Sequence, residues 1–236
     1  HYPLRRQRQM CIRDRDDINS IDNYTNNVQN TYAWPTDTYF NLYLVKDICD
    51  GGSCGSVYGY STMPWSHGQD VDGAVFLGAS FWSGLTLHEM GHYLGLSHNF
   101  AGGCKNDDCT LDGDGVCDTP PKTSPGGAGD GCTNSNNCSA DEDDNSNNNP
   151  FRKVSLGGLG DINDGNENYM DYSGGCWAAF TVGQKNKMRN ILNHERASLF
   201  TTDVLVPPVT LDAAILSINT SACLLYTSDA ADEEDS

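Results

Sequence analysis

The stretch "HEMGHYLGLSH", residues 88 to 98, limits what this chain can become more than any other part of it. Three of the six histidines in the sequence fall inside it, at intervals of four and six residues. On an α-helix, residues four apart lie on one face a turn apart, so His88 and His92 project side by side and can share one cation. A catalytic zinc asks for three protein ligands, each imidazole nitrogen about 2.1 Å from the metal, and an open position for water. Gly95 stands where the helix has to end, because glycine enters the left-handed C-terminal conformation without steric penalty. The reversal it permits brings His98 round as the third ligand. Glu89 points about 100° away from His88 around the helix axis. That places it as general base beside the water at the open position, rather than as a ligand. Ordinary histidines on a half-buried helix are the alternative, and the complete HExxHxxGxxH pattern argues against it.

A second segment completes the pattern: "ENYMDYSGGCWAAFTVGQKNKM", residues 167 to 188. Taken together, "HEMGHYLGLSHNF", "DGDGVCDTP", "NYMDYS" and "FTVGQ" resemble the pappalysin family of metzincin zinc metallopeptidases, across roughly residues 37 to 200. The resemblance implies an α+β, metzincin-like zincin domain. In it a small twisted mixed sheet stacks with the active-site helix, and a loop-rich lower subdomain is closed by a C-terminal helix. It makes Met170 the floor of a turn beneath the three imidazoles, although a methionine in a turn taken alone reads as a core filler. It also swings Tyr172 toward the metal, as a phenol donor aimed at the developing oxyanion; a core tyrosine is the alternative. Asn99 follows His98 where astacin-like metzincins carry an acidic residue, which points away from that branch. The implied activity is a secreted zinc endopeptidase that hydrolyses peptide bonds in a peptide or protein substrate, with Glu89 activating the water.

Composition narrows the setting. A formal charge of −18 and a pI near 4.4 exclude a nucleic-acid partner, because phosphate binding needs a basic face. The start, "HYPLRRQRQMCIRDR", and the end, "CLLYTSDAADEEDS", resemble translated sequencing-adapter read-through. Residues 1–15 and 223–236 are therefore expected to be non-native tails. Setting aside Cys11 and Cys223 leaves eight of the ten cysteines, an even number suited to a disulfide framework in an exported protein. Spacing suggests Cys49 with Cys54 and Cys109 with Cys117 as local pairs. The family resemblance adds Cys104 with Cys138 and Cys132 with Cys176, among about a hundred possible connectivities. No membrane span is visible, and a monomer is expected.

Along the chain, "YFNLYLVKDI" (39–48), "SVYGYSTM" (56–63, closed by Pro64) and "GAVFLGAS" (73–80) read as strands from alternation and β-branched or aromatic content. By the resemblance, residues 60 to 66 form the edge that holds extended substrate through main-chain hydrogen bonds; a plain surface hairpin is the alternative. After His98 the chain is loop-rich to residue 166, and a loop of that length in a compact domain is functional or crosslinked. Within it, "LDGDGVCDTP" offers Asp112, Asp114 and Asp118 as hard oxygen donors, with Thr119 as a further candidate. The resemblance makes a structural calcium there the favoured interpretation over a solvated acidic turn. "FTVGQKNKMRNILNHERASLF" reads as the closing helix. Thr181 and Gln184 form a capping-box pattern, and Met188, Ile191, Leu192 and Leu199 recur on one side. His194 lacks a second ligand at helical spacing and reads as structural. The catalytic domain is thus expected over residues 16–202, with 203–222 as a linker and the truncated start of a β-sandwich appendage. Two other functions compete: a catalytically silent binding module of the same fold, and a calcium-stabilised adhesive domain, which leaves the histidine triad unexplained.

Overall fold

The computed structural model describes residues 21–22, 33–45, 47–50, 53–55, 57–81, 84–125, 136–138 and 144–200. The expectations for residues 1–15, 203–222 and 223–236, and for Cys132, fall outside these. The strands are β1 (Ile21–Asp22), β2 (Leu42–Val45), β3 (Ile48–Asp50), β4 (Ser53–Cys54), β5 (Gly59–Ser61) and β6 (Ala74–Leu77). Among the described residues two α-helices form, α1 (Leu85–Tyr93) and α2 (Val182–His194).

β6 is four apolar residues in a row, all buried, because it lies in the middle of a sheet with both faces covered. Its sheet has the order β2–β6–β5, with β2 parallel and β5 antiparallel to β6. Val75 and Leu77 pack on one face with Tyr43, Val45 and Ile48. Ala74 and Phe76 pack on the other with Leu85 at the start of α1, flanked by Phe40, Phe81 and Trp177. Each large side chain buried this way contributes about 1.5–3 kcal/mol. The metal-motif helix is therefore fixed to the sheet by the alternate residues of one central strand.

The strand expected over 39–48 divides into β2 and β3, which belong to different sheets; β3 pairs with β1 and β4. β3 and β4 face each other with Cys49 opposite Cys54, and the two are joined by a disulfide. The expected edge over 60–66 is shorter than the sequence suggests. β5 ends at Ser61, and Pro64, which has no N–H to give a ladder, opens a 3-10 turn over Pro64–Ser66.

Between α1 and α2 the described residues are mostly turns and loops, held by crosslinks and by α2. Disulfides join Cys104 to Cys138 and Cys109 to Cys117, and Cys176 is also disulfide-bonded. Thr181 and Gln184 form both halves of the capping box at the start of α2. Met188 packs on a lower core of Leu96, Val116 and Met170, with Phe180 beside it. Leu192 is buried, whereas His194 is exposed.

Candidate metal centre

The end of α1 shapes the site. Gly95 has φ +86°, its N–H reaches the His92 carbonyl, and the Leu96 N–H reaches the Gly91 carbonyl, both at 2.9 Å. This paired closure is a Schellman motif. A Cβ at Gly95 would also meet Ile191 Cγ1 at 2.9 Å and Pro64 Cγ at 3.2 Å, so the turn is crowded as well as left-handed. It returns the chain so that His98 faces the two helical histidines.

The three imidazoles converge. His92 Nε2 lies 3.2 Å from His88 Nε2 and 3.0 Å from His98 Nε2. Hydrogen bonds between the rings do not explain this. His88 Nδ1 donates to the Tyr169 carbonyl at 2.6 Å and His92 Nδ1 to the Leu96 carbonyl at 2.7 Å, which leaves both Nε2 atoms as bare lone pairs. A tetrahedral ion with bonds of 2.0–2.1 Å would set its ligand nitrogens about 3.3 Å apart, close to what these rings present. Burial keeps the rings neutral. It pushes His88 down to about 4, with the neighbouring His92 adding to the effect and the Tyr169 carbonyl opposing it. Burial, then His92 and His88, pushes His98 down to about 3, and burial lowers His92 against the Leu96 carbonyl. Among the described residues these three form the only group of three or more His, Cys, Asp or Glu whose ligand atoms lie within 4.8 Å of one another. The donor set fits zinc.

Glu89 is buried, and burial pushes its carboxyl up to about 8. A Cβ on Gly59 of β5 would lie 3.3 Å from Glu89 Cγ, so the edge strand passes directly over this side chain. Tyr172 is half exposed, its ring 4.7 Å from that of His98 and 5.7 Å from that of His88.

Met170 is fully buried, its sulfur close against Gly91 of α1. Its turn is tied to α2 by a reciprocal amide pair: Asn168 Nδ2 donates to Gln184 Oε1 at 3.0 Å and Gln184 Nε2 to Asn168 Oδ1 at 3.1 Å. Several contributors carry no signal in the histidine motif. At Gly91, a Cβ would fall on the Met170 sulfur, so the glycine lets the turn approach the helix. Phe100 stacks on His98 with ring centroids 4.7 Å apart, and Trp177 stacks on His88 at 5.6 Å. Gly84 makes room for that indole, since a Cβ there would lie 2.6 Å from Trp177 Cε3.

The acidic loop is arranged differently from the expected chelate. Asp112 turns to Lys105 Nζ at 2.7 Å and accepts the Asp108 N–H. Asp118 accepts Thr181 Oγ1 and the Gly183 N–H, both at 2.7 Å, and so anchors the positive N-terminus of α2. The carboxylates of Asp112, Asp114 and Asp118 do not converge. Asp114 and Thr119 are nevertheless both buried, and Asp114 Oδ1 accepts the Val116 N–H.

A family model for peptidase M43, described as pregnancy-associated plasma protein-A, matches residues 22–193. The chain belongs to this metallopeptidase family, the pappalysins. An extracellular metalloprotease of Sordaria macrospora is 34% identical over 171 residues, covering 67% of this chain and 50% of its own. One of Colletotrichum graminicola is 33% identical over 168 residues, covering 66% and 50%. This pappalysin chain thus spans about half the length of the curated relatives it matches. Mature mirolysin of Tannerella forsythia, solved in complex with a cleaved peptide, aligns at 21% identity with a TM-score of 0.47, over 71% of this chain and 58% of that one. Mirolysin in complex with a compound aligns at 20% with a TM-score of 0.49, over 77% and 65%.

Proposed function

We propose that this chain carries the catalytic domain of an extracellular zinc endopeptidase, acting on peptide or protein substrates. The observation that carries the reading is the convergence of the His88, His92 and His98 Nε2 atoms on the helix that also bears the buried Glu89. These histidines would hold the ion, which when bound supplies Lewis acidity at an open coordination position. Glu89 accepts a proton from the attacking water at its carboxylate and passes it to the leaving amine. Tyr172 donates its phenolic hydrogen to the oxyanion. β5 is terminal in its sheet and passes over Glu89, so its main chain can add an extended substrate as a further strand. The disulfides and the relatives' extracellular naming support secretion, and no helix among the described residues is long and apolar enough to cross a membrane. Residues 16–202 carry the domain.

A structural calcium belongs to the same proposal, placed at Asp114 and Thr119, two buried oxygen donors of the kind a hard cation takes. Calcium is expected to raise the melting temperature of the full chain, and an Asp114→Ala variant to lose that response. An unchanged response in the variant would move the ion elsewhere.

The test of function is digestion of an unbiased peptide mixture by the zinc-reconstituted full chain, read by mass spectrometry. Cleavage that a zinc chelator removes and added zinc restores is expected. A folded, zinc-loaded chain that leaves every peptide intact would instead identify a silent binding module.

A further inference from the structure

Below the histidines, the Met170 turn rests on a buried ion pair that the proposed chemistry does not use. The Lys122 and Asp171 side chains are 1% and 0% exposed. The Lys122 ammonium donates to Asp171 Oδ2, and to Asn166 Oδ1 at 2.6 Å. Asn99, next to His98 in the chain, donates from Nδ2 to the same Oδ2 at 3.1 Å. The Tyr172 N–H donates to Oδ1 at 2.6 Å. Trp177 Nε1 donates to the Asp171 carbonyl at 2.8 Å while its ring lies along His88. One carboxylate therefore joins the residue after the third histidine to the backbone of the tyrosine over the site. Burying two charges is expensive, and an apolar pair of similar volume packs as well or better, so this pair needs a reason beyond stability.

We propose that Lys122 is a positioning residue of the metal centre. By pairing with the Asp171 carboxylate, it fixes Tyr172 over the site and, through Asn99 and Trp177, sets the placement of His98 and His88 on which their grip on zinc depends. This rests on the zinc-peptidase reading above. Partners behind metal ligands typically act on affinity or activity by about 10–100-fold.

The test compares the wild-type full chain with Lys122→Met and with the double variant Lys122→Met/Asp171→Asn. Each is read by melting temperature, by zinc affinity in competition with a chromophoric chelator, and by kcat and KM. Lys122→Met is expected to weaken zinc binding by about 10–100-fold and to lower kcat, with KM little changed. The double variant has no uncompensated charge, and its new amide still accepts from the Tyr172 N–H. It is expected to regain melting temperature but not zinc affinity or kcat, and it carries the test if the single variant does not fold. A double variant that regains all three would reduce the pair to a structural strut and overturn the proposal. A wild type that binds zinc without cleaving would instead defeat the peptidase reading, and the zinc affinities alone would still decide the role of Lys122.

Discussion

His88 and His92 each commit one ring nitrogen to a backbone carbonyl, and that decides what the other nitrogen can do: accept a cation. The same burial makes metal-free stability depend on pH in two opposing ways. In the unfolded chain these imidazoles titrate near their ordinary value of 6.5, while in the fold His88 is held to about 4 and His98 to about 3. Protons then bind the unfolded chain preferentially, and stability is lost as pH falls from about 6.5 toward those values. Glu89, raised to about 8, and Asp114, raised to about 7, act in reverse. They stay protonated in the fold while the unfolded chain ionises, so stability is lost as pH rises toward 7 and 8. Above about pH 6.5 only the two raised carboxyls act. The melting temperature of chelator-treated protein is therefore expected to fall as pH rises from about 6.5 to about 8. A rise continuing through pH 8 would show that Glu89 is not held as a buried acid. Tyr172→Phe, which in the proposed mechanism removes one donor to the oxyanion, is expected to lower kcat by about 10²-fold with KM little changed, checked by steady-state kinetics on one good peptide. The three histidines, Glu89 and Met170 were legible as motifs because their spacing is local or tied to a recognisable second segment. Lys122, Trp177 and Phe100 were not, since their roles come from contacts across the fold that no spacing encodes.

At the scale of elements, α1 works because two glycines serve different ends. Gly95 supplies the left-handed turn, which the sequence could show because a helix motif followed by glycine has a backbone reason. Gly91 supplies a gap for the Met170 sulfur, which becomes visible only once the turn is docked. Gly91→Ala keeps helix propensity in its favour, yet it is expected to lower both melting temperature and zinc affinity by forcing the turn away. Unchanged zinc affinity in that variant would separate the turn from the metal centre. The strands were legible as apolar runs, but their bounds were not. Pro64 ends the edge early, and one alternating run feeds two sheets. The acidic loop shows the other limit of sequence: carboxylates close in the chain bind partners distant in it, as Asp118 does at the start of α2.

Across the whole described unit, the segment after α2 returns to lock the upper half. Arg196 is fully buried, and its guanidinium meets both oxygens of Asp72 at 2.5 and 3.0 Å. It also donates to the Tyr93 carbonyl at 2.9 Å and lies 3.4 Å over the Tyr93 ring. The clamp thereby caps the helix that carries the metal motif. Arg196→Ala leaves Asp72 buried without its partner, and it is expected to cost about 3–5 kcal/mol in denaturant unfolding. A loss under about 1 kcal/mol would mean the clamp is no better than a surface pair.

The central claim is that Glu89 serves the chemistry and the three histidines serve the metal. The most direct measurement sets the full chain beside Glu89→Ala, with zinc content and peptide cleavage determined on the same samples. Equal zinc and a cleavage rate lower by about 10²–10⁴-fold are expected. A zinc-loaded Glu89→Ala variant that cleaves at the wild-type rate would contradict the account.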